Sequence, residues 1–500
     1  MGKYDKYAWA AEPEDIPADE IVETVEADAV IVGAGLSGVT AALSAAEHGL
    51  NVVLLEKGRR NSARGFHMAA ANSRLLKKYG VENDVDELCD AWISVTGHRA
   101  KSELIRLYLN DSEPAMNWLL DKTDAHGIKS IIFGGEYRGK NYKEFTVTHM
   151  FDCGIEGIAS MLLGEAVEKG VRVDYRTSAL KLVKTRGRVT GVVAQGPEGY
   201  VKYVGRRGVV LATGDISGNR AMCEDLAPQA LTALKNINHH APQLTGDGHK
   251  MGIWAGGVLQ DPPFPGAIHL MAFSMYSYFF LLVNQSGKRY MNEDCWAQGK
   301  ATYTIRQDPR HPWGYVIFDS KWKEEVLASE PYGGGLFWDS TMREYGKPMD
   351  LTGDEFAINR CVSEGQDGWK ADTLEELAEK IGVPRSTFHA TVSRYNKLCA
   401  KGHDDDFGKR PELMTPVCQP PYYALKISGA LLHIPAGLSV DTDMNVLNEY
   451  HEKITGLYAI GNVAGDLYGI DYPLIMAGNC HGRCLTFGWH MGNVLAKKKR

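Results

Sequence analysis

Residues 27–56 read ADAVIVGAGLSGVTAALSAAEHGLNVVLLE, and their pattern decides the fold. An apolar run from Ala27 to Val32 has the character of a buried strand. A glycine-rich turn, an alanine-rich helix and a second buried strand ending at Glu56 follow. That is one βαβ unit of a parallel sheet. In the GxGxxG turn, Gly33 lets the chain turn sharply, Gly35 admits a pyrophosphate against the backbone, and Gly38 lets helix and strand pack closely. The helix start at Leu36 and Ser37 offers N–H groups without intrahelical partners to a phosphate. Glu56, followed by Lys57, can accept hydrogen bonds from both hydroxyls of a ribose. The stretch is therefore read as a dinucleotide site.

The rest of the chain is compatible with a soluble enzyme. Its 500 residues suffice for two to four domains, and 55 basic against 62 acidic side chains leave a net charge of −7. This removes the electrostatic basis for nucleic-acid binding, and the closing Lys-Lys-Lys-Arg reads as a solvated tail. The N-terminus has no apolar signal core, which points to the cytoplasm. Nine scattered cysteines form no CxxC pair and read as reduced thiols. The least charged stretch, 262–287, is interrupted by prolines and His269. Its apolar part, Leu270–Val283, is shorter than the roughly 20 residues of a membrane span and is read as a buried wall.

Further along, Val171–Tyr175, Ala179–Val183 and Arg188–Ala194 form a meander-like set. It leads to Gly208–Gly214, a buried strand whose small-residue end, Ala212-Thr-Gly214, suits close approach to a second part of the same cofactor. From about 263 to 414 the α/β alternation is lost and aromatics abound, as in an inserted cap. Residues 456–462 restore the strand-plus-glycine pattern, and a last helix runs from near Gly478 to Ala496. The expected fold is α/β with an α+β cap: an extension (1–25), a Rossmann-like domain built from 26–262 and 415–500, and the cap (263–414).

The segments VIVGAGLSG, GRVTGVVA, VVLATGDISGN, TGDGHKMG, LLVNQSGKRYMNE and ITGLYAIGNVAG, in this order, resemble the superfamily of soluble fumarate reductases, succinate dehydrogenase flavoproteins and 3-ketosteroid dehydrogenases. The resemblance implies FAD bound by a domain from both chain ends, with substrate held between that domain and the cap. It also implies flavin contacts from Gly65, His67, Met68, Ala69 and Ala70, from Asp247, from Gly461 and Asn462, and from Ala477, Gly478 and Asn479. His67 lies near the register of the histidine that binds FAD covalently in succinate dehydrogenases. Its surroundings differ, so noncovalent FAD is expected. Cys480-His481-x-x-Cys484 is read as packing at a helix start, not as a metal pair.

The chemistry implied is hydride transfer between flavin N5 and a carbon beside an activating group. His433 matches a carboxylate-binding histidine of fumarate reductases, but Tyr472 stands where their carboxylate-clamping arginine would be. A phenol offers one hydroxyl where an arginine offers a fork of donors, so the site reads as a partner for a neutral oxygen, as in ketosteroid dehydrogenases. Four residues after Glu293 stands Ala297, where relatives carry a catalytic arginine or tyrosine. The acid/base is therefore absent or relocated, and Tyr276, Tyr278, Tyr303, Arg306 and Cys295 are candidates that the sequence does not rank.

The reading is an FAD oxidoreductase acting on a bulky neutral cyclic substrate, steroid- or isoflavonoid-like, most simply as a reductase. Reduction of a small unsaturated acid and an electron-transfer subunit of a larger complex are the alternatives. With one βαβ phosphate site and no haem or iron–sulfur motif, electrons are expected from a separate donor, with direct use of NADH left open.

Overall fold

The chain folds as described here by a computed structural model covering residues 3–134, 145–274, 277–333 and 344–497. Strand β1 (Ile21–Val32) starts exposed and becomes buried from Ala27 onward, because only its second half lies under helices. Helix α1 (Leu36–Glu47) returns the chain to β2 (Val52–Glu56), which pairs in parallel with β1, Ala29 opposite Val52 and Val32 opposite Leu55. The sheet runs in the order Asn445–Leu447, Lys453–Ala459, Gly199–Leu211, β1, β2, Arg172–Tyr175. All neighbours are parallel except the first pair.

The meander is only partly as expected. Ser178–Thr185 and Arg188–Gly196 form an antiparallel hairpin that continues into Gly199–Leu211. Arg172–Tyr175 instead pairs in parallel with β2 at the sheet's edge, because helix Gly154–Glu168 supplies the crossover a parallel neighbour needs. The run read as beginning at Gly208 is the end of a 13-residue strand that pairs with β1 along one edge and with the hairpin along the other.

Helix Asn479–Lys497 brings the C-terminal part back onto α1. A Cβ at Gly488 would lie 2.7 Å from Thr40 Cβ, and one at Gly492 would lie 2.2 Å from Ser44 Oγ, so glycine is what allows the two helices to approach.

A second, antiparallel sheet has the order Leu281–Val283, Gly314–Asp319, Tyr422–Ile427, Gly368–Ala371, and it takes its third strand from beyond residue 414. Helices Leu374–Ile381 and Arg385–Lys401 close a separate core against it, with Leu377, Phe388 and Tyr395 buried. Below this core Arg289 bonds both Glu293 and Asp404, with Lys409 3.4 Å from Glu293. Within 270–283, whose residues 275 and 276 lie outside the described residues, buried Phe279 and Phe280 lead into Leu281–Val283. No described helix is long and apolar enough to cross a membrane.

Two small sheets place side chains at the site. One joins Lys235–Asn236, Ala430–His433 and Ala267–His269, and the other joins His67–Ala69, Thr148–Phe151 and Ser130–Ile132.

Candidate flavin and substrate site

At the end of β1 the chain turns at Gly33 with φ +108°, and a Cβ there would lie 2.5 Å from the Ala212 carbonyl oxygen. Gly38 sits over this turn, its would-be Cβ 1.9 Å from the Gly33 oxygen. Gly35 is different, because its nearest neighbour would be Ser62 O at 3.7 Å, so its missing side chain leaves open space. Gly35 also caps α1 without a side-chain acceptor, leaving the first helical N–H groups to a ligand. Glu56 is held by two backbone donors, Ala34 N–H at 2.9 Å and Gly58 N–H at 2.6 Å, one on each carboxylate oxygen. Each oxygen keeps further acceptor capacity for a ribose hydroxyl. Lys57 donates to Asp247 (2.8 Å) and Thr245 (3.2 Å). Burial pushes the Asp247 carboxyl up, but Lys57 and Lys250 more than offset this and hold it below the ordinary carboxylate range.

These groups surround a cavity of about 760 Å³. Of the residues expected at the cofactor, Gly33, Gly35, Leu36, Ser37, Glu56, Lys57, Gly65, His67, Ala212, Thr213, Gly214, Asp247, Asn462 and Gly478 line it. Gly38, Met68, Ala69, Ala70, Gly461, Ala477 and Asn479, also expected there, do not line it, and a Cβ at Gly461 would lie 2.6 Å from Ser37 Oγ. Thr213 Oγ1 is buried on the wall and has no hydrogen-bond partner among the described residues. An open glycine cradle, an uncapped helix start, a held carboxylate and an unspent buried hydroxyl together fit a dinucleotide.

His67 packs edge-on against Phe133, ring centroids 5.0 Å apart, and burial, with His481 adding to it, lowers its pKa to about 4. His481 Nδ1–H donates to the His67 carbonyl, 2.7 Å away.

Tyr472, His433, His269, Arg64 and Cys480 line the same cavity, with the Arg64 guanidinium donating to the Leu432 carbonyl beside His433. The Tyr472 ring stacks on Tyr468 at 5.5 Å and meets the edges of His433 (5.1 Å) and His269 (5.9 Å). Its hydroxyl accepts the Cys480 N–H at 3.3 Å, which leaves the phenolic proton for another acceptor. Burial holds this phenol well above its ordinary pKa and lowers both imidazoles, His269 to about 3, so all three are neutral near pH 7. His433 Nε2 is buried without a hydrogen-bond partner among the described residues. The Cys480 thiol is raised to about 12, first by its hydrogen bond with Cys484 and then by burial.

The acid/base candidates lie elsewhere. Tyr276 lies outside the described residues. Tyr303 is 54% exposed on helix Ala297–Ile305, and Arg306 follows at that helix's end; neither lines the cavity. Tyr278 is buried in an aromatic cluster with Phe280 and Trp322, and burial raises the Cys295 thiol to about 11. Ala297 opens the same helix, whose Gln298 donates to Asp471 Oδ1 at 2.5 Å. Arg64, His269 and Cys480 were not expected to meet at the site. Their one sequence signal is position: Arg64 adjoins the Gly65 loop, His269 interrupts the least charged stretch, and Cys480 follows Asn479.

A sequence profile described as FAD binding domain matches residues 28–475. The chain belongs to this family. It is an FAD-dependent oxidoreductase, as the reductase and dehydrogenase relatives also indicate. The chain is 29% identical to a vinyl phenol reductase of Lactiplantibacillus plantarum, over 94% of its own length and 96% of the relative's. It is 26% identical to an NADH:fumarate oxidoreductase of Klebsiella pneumoniae, over 95% of its own length, but spans only 48% of that protein. Among solved structures, a 3-ketosteroid-Δ4-(5α)-dehydrogenase from Rhodococcus jostii RHA1 superposes with a TM-score of 0.73 at 24% identity, covering 96% of this chain and 99% of that one, which establishes the fold. When bound, FAD supplies a hydride donor and acceptor. Glu56 would hold its ribose, the α1 N-terminus its pyrophosphate, and the Gly65 and Asn462 turns its ring system.

Proposed function

We propose that this flavoenzyme reduces a carbon–carbon double bond conjugated to a ring that bears a phenol or carbonyl oxygen and no carboxylate. The observation that carries this reading is the wall around Tyr472: one buried phenol flanked by two neutral imidazoles, with a phenolic proton left to donate. A small dicarboxylate needs several fixed cations, and only Lys57 and Arg64 among the described lining residues are cationic, Lys57 already paired with Asp247. The likeness to a vinyl phenol reductase over nearly the whole of both chains supports the same substrate class. Tyr472 orients the ring oxygen, and the buried wall excludes water from the reacting carbons. FAD is held noncovalently, and its electrons come from a separate reductase or diffusible donor.

Steady-state reduction driven by an artificial low-potential donor tests this. With 4-vinylphenol and fumarate compared at equal enzyme, the expected outcome is 4-ethylphenol formation with kcat/KM at least about 100-fold above fumarate, as a site that hydrogen-bonds a substrate hydroxyl discriminates strongly. A preference for fumarate would replace this reading with that of an acid reductase.

A further inference from the structure

We propose that Arg64 determines specificity by binding the ring substrate's oxygen in its anionic form, from the side of the cavity that carries the flavin loop. The inference rests on the substrate class proposed above and adds the ionisation state in which that substrate is held.

Arg64 follows Ala63 in the loop after β2 and lines the same cavity as Tyr472, His433 and His269. One guanidinium nitrogen donates to the Leu432 carbonyl, the residue before His433, which brings the group to the substrate end. A guanidinium has five N–H donors, and this carbonyl is a neutral acceptor that uses one of them. No ion pair joins Arg64 to a carboxylate among the described residues, whereas Lys57, the other cation of the wall, is spent on Asp247 and Thr245. The acid nearest in its field, Asp215, is engaged elsewhere: one oxygen accepts the Ser217 N–H at 2.8 Å, the other the Ile434 N–H at 3.1 Å.

The other titratable groups in contact with its field are Cys480, His240, His269, His433 and His481. Burial, with Arg64 contributing, lowers all four imidazoles, so none adds a second positive charge beside it. A partly buried cation with no carboxylate in ion-pair contact among the described residues keeps donors for a ligand, and a planar fork suits an oxyanion better than a neutral hydroxyl. Tyr472, as a neutral donor, would share the same oxygen.

The test uses the FAD-loaded enzyme and 4-nitrophenol, a ring that cannot be reduced at a vinyl group and is yellow only as its anion. Difference spectra across pH give the ionisation of the bound phenol. In the wild type the bound probe should ionise at least one pH unit below the free probe, which means at least tenfold tighter binding of the anion than of the neutral form. Arg64→Gln should abolish that shift at unchanged FAD content, and Arg64→Lys should keep at least half of it. An unshifted probe in the wild type, or an unchanged shift in Arg64→Gln, overturns the assignment. Loss of FAD from Arg64→Gln while the remaining holoenzyme keeps the shift moves Arg64 to the cofactor and equally overturns it. Should Arg64→Gln fail to fold, the lysine variant decides: a shift lost despite the retained charge contradicts the proposal, since it leaves no electrostatic attraction at this position. A wild type that shifts the probe but does not reduce 4-vinylphenol would leave the binding role standing while the proposed reaction falls.

Discussion

Glu56 shows how far a single side chain can be read before its surroundings are known. Its place after a GxGxxG βαβ unit marks it as a ribose acceptor, and its two backbone donors, Ala34 and Gly58, show that the carboxylate is oriented before any ligand arrives. Hydrogen bonds to a charged acceptor contribute roughly 1.5–3 kcal/mol each. Glu56→Ala should therefore weaken FAD binding by about 10- to 100-fold, measured by fluorescence titration of the deflavinated protein, and unchanged affinity would remove the ribose contact. The glycines were legible for the same reason: turn and phosphate cradle are local, set by residues within six positions of one another. Arg64, His269 and Cys480 were not, because they come from three distant segments and meet only after both small sheets and the last helix are in place.

At the scale of elements, a hydrogen bond ties helix Ala297–Ile305 to the Tyr472 loop. Gln298 donates to Asp471 Oδ1, which also accepts the Tyr472 N–H at 2.8 Å. Burial raises the Asp471 carboxyl to about 6, against about 3.9 for an ordinary aspartate. The folded state thus holds a proton that the unfolded chain has lost. The stability this gives is fully present below about pH 3.9 and is lost as pH rises through about 6, amounting to on the order of 1–3 kcal/mol. Asp471→Asn keeps the Oδ1 acceptor and removes the titration. It should melt above the wild type at pH 7.5 and converge with it near pH 3; a constant difference across that range would show that Asp471 ionises freely. Elements were also where reading and structure parted. Arg172–Tyr175 resembles its neighbours in composition, yet the preceding helix commits it to a parallel edge, a choice that alternation of side chains does not reveal.

On the scale of the whole molecule, one cavity joins a cradle made by β1, α1 and β2 to a wall made by residues from after position 260. The α/β fold with an added α+β layer was legible because strand–glycine–helix patterns recur near both chain ends. The shape of the substrate end was not, since Tyr472, His269 and Ala297 take their meaning from one another. The central claim is that a bound flavin passes hydride to a ring substrate whose oxygen Tyr472 stabilises. A preorganised donor of this kind contributes on the order of 2–4 kcal/mol in the transition state, so Tyr472→Phe should slow the step by roughly 30- to 1,000-fold while retaining FAD. The direct measurement is anaerobic stopped-flow: photoreduced wild type and Tyr472→Phe, each mixed with 4-vinylphenol or fumarate, followed by the return of oxidised-flavin absorbance. The account predicts rapid reoxidation of the wild type by 4-vinylphenol, negligible reoxidation by fumarate, and the stated loss in the variant. Equal rates in wild type and variant, or faster reoxidation by fumarate, would contradict it.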